Sequence, residues 1–204
     1  MTKIKLCGLS RLCDIEMVNQ LVPEYIGFVF ATQSKRYISP DQIMKLKKHI
    51  HPSITTVGVF VNEAPEEVSK LLNHGVIDMA QLHGREDEDY IKALRTVTDK
   101  PIIKAFSINT EADLIDAYES TADYVLLDSG YGGTGKTFDW ELAKSLVRPY
   151  FLAGGLSLIN IDRAIKTLDP YAVDVSSGIE TDGQKDMDKM SEFVHIVRGE
   201  DEIK

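Results

Sequence analysis

What most narrows the folds open to this chain is a rhythm in its apolar residues. Eight short apolar runs, at Lys3–Cys7, Tyr25–Phe30, Thr55–Phe60, Asp78–Leu82, Pro101–Ala105, Tyr124–Leu127, Tyr150–Ala153 and Ala172–Val175, alternate with amphipathic stretches of helical length. Across 204 residues they recur every ~25 residues, the length of one compact βα unit. Strands alternating with helical patterns call for parallel βαβ connections, with helices covering the sheet. The helices carry start and stop signals. Ser39 and Pro40 suit an N-cap and first helical position, and in the next helix Asn62 precedes an acidic first turn while Gly75 follows the last turn. "NTEADLIDAYEST" and "SLINIDRAIKTL" repeat apolar residues three and four apart. No linker, low-complexity tract or charge block divides the chain, so residues 1–204 read as one α/β domain. Eight parallel strands form either a closed (β/α)₈ barrel or an open doubly wound sheet. An open sheet leaves two edges and usually has fewer strands, and a barrel with short loops needs only about 200 residues. The expectation is a single-domain (β/α)₈ TIM barrel.

Residues able to do chemistry sit just after the apolar runs. They include Cys7 after "KIKL", Gln81 and His83 in "AQLHG", Asp128 after "YVLL", Gly154–Gly155 after "YFLA", and Ser176–Ser177–Gly178 after "AVDV". A barrel gathers all of them on its C-terminal face, where βα loops form the active site. An open sheet would scatter some of them.

"GYGGTGKT", residues 130–137, fits the phosphate-loop pattern G-x-x-x-x-G-K-[ST]. Its surroundings do not. The next helix starts naturally at Asp139, the motif follows the sixth strand and not an early one, and Asp128 would repel a triphosphate unless a cation intervened. Gly130, Gly132, Gly133 and Gly135 equally suit a flexible βα loop that closes over a small substrate. A better anion site lies in "AGGLSLINI" and "VSSGIE". Barrels bind phosphate through backbone N–H groups after strands seven and eight and at the N-terminus of a short extra helix. The two turns, at Gly154–Gly155 and Ser177–Gly178, either hold a phosphate, with the Ser176 and Ser177 hydroxyls as further donors, or are tight barrel turns without ligand.

The remaining candidates have two readings each. Cys7, ending the first strand, is either a small core residue or a thiolate base. Asp128, ending the sixth, either caps its loop or works as an acid. Arg36, in the long loop "ATQSKRYISP", either lies in solvent or forks onto a substrate carboxylate. His83 makes loop hydrogen bonds or touches substrate. His49, His51, His74 and His195 have no metal-ligand spacing. Trp140 is expected to pack the sixth helix onto the barrel, and Cys13 to be buried in a helix apart from Cys7.

Net charge, −9, argues against nucleic acid or an anionic membrane as partner. No run reaches the length of a membrane span, and the N-terminus lacks the apolar core of a signal peptide. Two cysteines without further ligands suit free thiols in the cytoplasm. No dimerisation signature is visible, so a monomer is expected.

In order along the whole chain, "KLCGLSR", "GFVFATQSKRYISP", "VGVFVNE", "QLHGRED", "VLLDSGYGGTGKTFDW", "LAGGL" and "DVSSGIE" resemble the phosphoribosylanthranilate isomerase family. The resemblance implies a (β/α)₈ barrel that performs an Amadori rearrangement without metal or organic cofactor. Its substrate would be a phosphorylated small molecule, N-(5-phospho-β-D-ribosyl)anthranilate. By the same resemblance the general base falls on Cys7, the general acid on Asp128, and the anthranilate-contacting arginine on Arg36. Phosphate-binding turns fall on Gly154–Gly155 and Ser177–Gly178, and a mobile loop on Gly130–Thr137. Leu6 and Ser10 depart from the isoleucine and threonine common in the family, away from the implied chemistry. Indoleglycerol-phosphate synthase would bring extra catalytic lysines and glutamates, and a pentose-phosphate epimerase a metal-binding histidine–aspartate set. Neither pattern is visible. A catalytically silent barrel serving as a binding partner would not need Cys7, Asp128 and both anion turns together.

Overall fold

The computed structural model describes residues 1–129 and 139–199. The loop expected at Gly130, Gly132, Gly133 and Gly135, with Lys136, lies outside these residues. Eight parallel strands close into a barrel in sequence order. They are β1 (Lys3–Cys7), β2 (Tyr25–Val29), β3 (Thr55–Phe60), β4 (Met79–Leu82), β5 (Ile102–Ser107), β6 (Tyr124–Asp128), β7 (Tyr150–Leu152) and β8 (Ala172–Val175). The seam pairs β1 with β8, with Lys5 opposite Asp174. Each apolar run read from the sequence is a strand, displaced by two residues or fewer at its ends.

Helices α1 (Leu12–Leu21), α2 (Pro40–Lys47), α3 (Pro65–Asn73), α4 (Glu88–Arg95), α5 (Glu111–Glu119), α6 (Trp140–Ala143), α7 (Ile161–Leu168) and α8 (Met187–Arg198) follow the strands in turn. Ser39 caps α2 as expected, its hydroxyl accepting from Gln42 N while the Gln42 side chain reaches back. The cap of α3 is Ala64 and not Asn62, because Pro65 takes the first helical position and fixes the start there. Asn62 instead adopts positive φ in the preceding turn and accepts from Arg85 N. Cys13 is exposed, against expectation. The buried stripe of α1 runs through Asp14, Ile15, Val18 and Leu21, and Cys13 falls outside it.

The period-two pleat divides each strand between two cores. One lies between barrel and helices and includes Leu6, Phe28, Phe60, Leu82 and Trp140. Trp140 is therefore packed onto the barrel as expected. The second fills the barrel itself with Tyr25, Val57, Met79, Ile103, Leu126 and Phe151. The Phe151 ring meets Tyr25, Tyr124 and Tyr171 edge-on. These rings plug one end, so the barrel is a solid support with its inward positions free for chemistry only at the other end.

After β8 the chain adds something the sequence reading did not contain. A 3-10 turn, Ser177–Ile179, takes the place of the expected extra helix. It leads into a small antiparallel hairpin, β9 (Glu180–Thr181) and β10 (Gln184–Lys185). Asp182 and Gly183 both have positive φ, the two-residue turn that favours Asp-Gly. Among the described residues, no helix is long and apolar enough to cross a membrane.

Candidate active site

A cavity of about 320 Å³ opens at the C-terminal ends of the strands. Its wall includes Cys7, Arg36, Gln81, His83, Asp128, Gly154, Gly155 and Ser177. The barrel thus brings together nearly every residue the sequence had marked. Gly178 does not line it; a Cβ there would collide with the Leu156 carbonyl oxygen, so the turn after β8 packs closely on the turn after β7. The cluster follows from strand parity, since alternate residues of parallel strands point inward and the last inward residue of each reaches the mouth.

Cys7 is the inward residue at the end of β1, and its sulfur sits where the neighbouring strand has Gly27. A Cβ on Gly27 would lie 2.5 Å from Cys7 Sγ. The thiol position therefore depends on a glycine that no motif had marked. Beneath it, Lys5 is fully buried inside the barrel and bonded to both Asp174 oxygens at 2.9 Å. Burial pushes the Cys7 thiol above its ordinary pKa, while the Lys5 ammonium pulls it down, Asp174 raises it and Lys185 lowers it.

Asp128 stands at the end of β6. His83 Nε2 lies 3.1 Å from Asp128 Oδ2, and Gln81 Nε2 lies 2.8 Å from His83 Nδ1. A donating Gln81 amide makes Nδ1 the acceptor, which places the ring proton on Nε2, aimed at the carboxylate. His83 therefore bonds a catalytic candidate, a role the sequence reading had not given it. Burial works to raise the Asp128 carboxyl. The hydrogen bond from His83, with the Ser129 backbone and side-chain bonds, outweighs it and holds Asp128 below the usual carboxylate range. The turn after β7 comes so close that a Cβ on Gly154 would meet Asp128 Oδ1 at 2.8 Å and Ser129 N at 2.5 Å. Gly154 and Gly155 both have positive φ, and Asn160 Nδ2 fixes the turn through Gly155 O at 2.9 Å.

Arg36 neither lies free in solvent nor offers its whole fork to a ligand. Its Nε and Nη2 donate to the two Glu180 oxygens at 2.7 Å each. That parallel pairing is the strong geometry for a guanidinium. It leaves the Nη1–Nη2 edge for a second carboxylate. Glu180 also accepts from Lys185 Nζ at 2.5 Å. The hydrogen bonds and charges of Arg36 and Lys185 keep it ionised despite burial, which works the other way. The hairpin carrying Glu180 and Lys185 thus forms part of the wall around Arg36. No group of three or more His, Cys, Asp or Glu side chains among the described residues is arranged to hold a metal ion.

Comparison with known proteins gives one consistent answer. The family described as N-(5'phosphoribosyl)anthranilate (PRA) isomerase matches residues 4–196. An N-(5'-phosphoribosyl)anthranilate isomerase of Endomicrobium trichonymphae is 45% identical over 202 residues, covering 97% of this chain and 99% of its own. The crystal structure of phosphoribosyl anthranilate isomerase from Thermus thermophilus superposes with a TM-score of 0.88 at 32% identity, covering 97% of this chain and 99% of that one. A second such isomerase was solved in complex with reduced 1-(o-carboxyphenylamino)-1-deoxyribulose 5-phosphate. It matches with a TM-score of 0.85 at 34% identity, over 98% of this chain and 100% of that one.

Proposed function

Because the chain belongs to the N-(5'-phosphoribosyl)anthranilate isomerase family, we propose an assignment of the family's chemistry to the residues that meet in its cavity. The chain is an enzyme. It catalyses the Amadori rearrangement of N-(5-phospho-β-D-ribosyl)anthranilate to 1-(2-carboxyphenylamino)-1-deoxy-D-ribulose 5-phosphate, a step of L-tryptophan biosynthesis. The reaction is redox-neutral, C2 being oxidised as C1 is reduced within one molecule, so it balances without an external oxidant.

In the assignment, protonated Asp128 gives its proton to the ribose ring oxygen as the C1–O bond opens to an iminium ion. Cys7 thiolate then takes the C2 proton, which the iminium has made acidic, and an enolamine remains. Tautomerisation yields the ketone. His83 holds Asp128 in place and lines the substrate space beside it. The free edge of Arg36 receives the anthranilate carboxylate. The phosphate lies in the turns at Gly154–Gly155 and Ser177–Gly178, and fixing both anionic ends sets C2 beside sulfur. The observation that carries the assignment is that Cys7, Asp128, Arg36 and the turns at Gly154–Gly155 and Ser177 share one cavity.

The charges around the two groups favour the proton in the opposite place. Cys7, pushed up, keeps its proton, and Asp128, held down, has lost its own. The reactive arrangement is the same site with one proton moved from sulfur to carboxylate. We read residues 1–204 as one catalytic unit, monomeric and cytoplasmic. Exposed apolar side chains are spread over several elements, from Leu12 and Met44 to Tyr118 and Val147. Light scattering on the purified chain tests this, and a doubled mass overturns the monomer.

Arg36→Met keeps most of the side-chain volume and removes the fork. Losing a hydrogen bond to a charged group costs about 1.5–3 kcal/mol. The expected result, by calorimetry, is about 10- to 100-fold weaker binding of the carboxylated product analogue. Binding of an analogue lacking the carboxylate should change little. Equal affinity of native and variant for the carboxylated analogue contradicts the assignment.

A further inference from the structure

The rearrangement as assigned uses Cys7 but leaves a group of buried charges around it without a task. Lys5 is fully buried, and Lys185 and Glu180 have side chains 2% and 7% exposed. Three cations (Lys5, Arg36, Lys185) stand against two carboxylates (Asp174, Glu180), joined in two ion-paired groups. Lys5 pairs with Asp174, and Arg36 and Lys185 share Glu180. One positive charge is left over.

Cys7 lies where the two groups meet. Lys185 Nζ donates to Ser176 O at 2.9 Å and to Ser176 Oγ at 3.4 Å, and Ser176 Oγ donates to Cys7 O at 3.1 Å. Cys7 and Asp174 line the same cavity wall as Arg36. Burial holds Lys185 below the ordinary lysine value, with Glu180 and the charge on Cys7 opposing it, whereas Lys5 and Arg36 are raised, the charge on Cys7 acting on both beside their carboxylates. The ionised Asp128 on β6 is bonded to His83 at 3.1 Å, and the charges that act on Cys7 are those of Lys5, Asp174 and Lys185. Arg11, behind the hairpin, is matched by Asp14 at 2.6 Å, and from β4 and β6 come Gln81, His83 and Asp128 on the mouth. An unpaired charge inside a protein is strongly disfavoured, so a surplus cation favours an anion beside it.

We propose that Lys185 is a positioning residue for the isomerisation: together with Lys5 and Arg36 it supplies the surplus positive charge whose counterion is the Cys7 thiolate. This rests on Cys7 being the base. The hairpin after β8 then has a purpose, since it carries both Lys185 and the Glu180 that restrains Arg36. Removing Lys185 brings the group to neutrality before the thiol ionises. Removing the Glu180 charge raises the surplus.

The test is the pH dependence of Cys7 alkylation by iodoacetamide, followed by mass spectrometry on the full chain. Cys13→Ser serves as the background, because Cys13 is exposed and would otherwise react. Alkylation follows the thiolate, so its midpoint reports thiol ionisation whether or not Cys7 is the catalytic base. In Lys185→Met the midpoint should rise by about one pH unit or more, and in Glu180→Gln it should fall. The double variant should return toward the parent, since it restores the single surplus charge. Lys185→Arg should stay near the parent. A purely structural hairpin would instead shift both single variants the same way and the double variant further. That pattern, or an unmoved midpoint in Lys185→Met and Glu180→Gln, overturns the proposal. If Lys185→Met fails to fold, Glu180→Gln and the double variant still decide it. Failure of the base assignment would show separately, as full turnover in a Cys7 variant.

Discussion

Cys7→Ser should lose about 100- to 10,000-fold in kcat, the range that a positioned general base contributes, while binding the product analogue nearly as tightly as the native chain. A serine hydroxyl is smaller than the thiol and fits beside Gly27, so the cavity should survive. Its proton is far harder to remove near neutral pH, and the charges around position 7 do not close that gap. The loss therefore belongs to the chemical step and not to binding. Steady-state kinetics with freshly prepared substrate, with calorimetry on the analogue, separate the two. A serine variant with kcat near native removes Cys7 from the mechanism.

Asp128→Asn should cost a comparable factor, because the amide keeps much of the shape and cannot deliver a proton to the ring oxygen. The pH profile carries more information. Below the Asp128 pKa both groups are protonated and the base is missing. Above the Cys7 pKa both are ionised and the acid is missing. Between them the reactive arrangement is a constant fraction of the enzyme. The acid limb therefore belongs to Asp128, which lies below its ordinary value, and the alkaline limb to Cys7, which lies above its own. The expected kcat/KM is flat through neutrality, with its alkaline limb above the ordinary thiol pKa of about 8.5. An alkaline limb below about pH 8 in kcat/KM would contradict the raised Cys7 thiol.

How far the sequence carries differs from residue to residue. Strands were legible because parallel strands under a helical layer must be apolar along their length, and turn residues bound them. Cys7, Asp128 and the small-residue turns were legible because barrel geometry gathers strand ends whatever the sequence between them. Cys13 was misread because a cysteine early in α1 gives no sign of which face it takes until the stripe at Asp14, Ile15, Val18 and Leu21 is known. Lys5 had a usable signal, since it shares the inward parity of Cys7 in "KIKLC". A lysine within an apolar run gives no sign that Asp174, far along the chain, will meet it. The Arg36–Glu180 bond is of the same kind, joining residues 144 apart in sequence. The hairpin bearing Lys185 was available from "ETDGQK", where Asp-Gly separates two short segments. Its two-residue strands are too short to register as an apolar pattern.

By the assignment above, this chain turns N-(5-phospho-β-D-ribosyl)anthranilate into its ketose product with its own side chains. The most direct measurement is conversion of freshly prepared substrate by the purified chain, treated with a chelator and free of nucleotide, with product identified by mass and retention. The expected result is complete conversion at a rate proportional to enzyme, reduced toward the uncatalysed rate in the Asp128→Asn variant. Conversion no faster than without protein, or native conversion by the Asn variant, would contradict it.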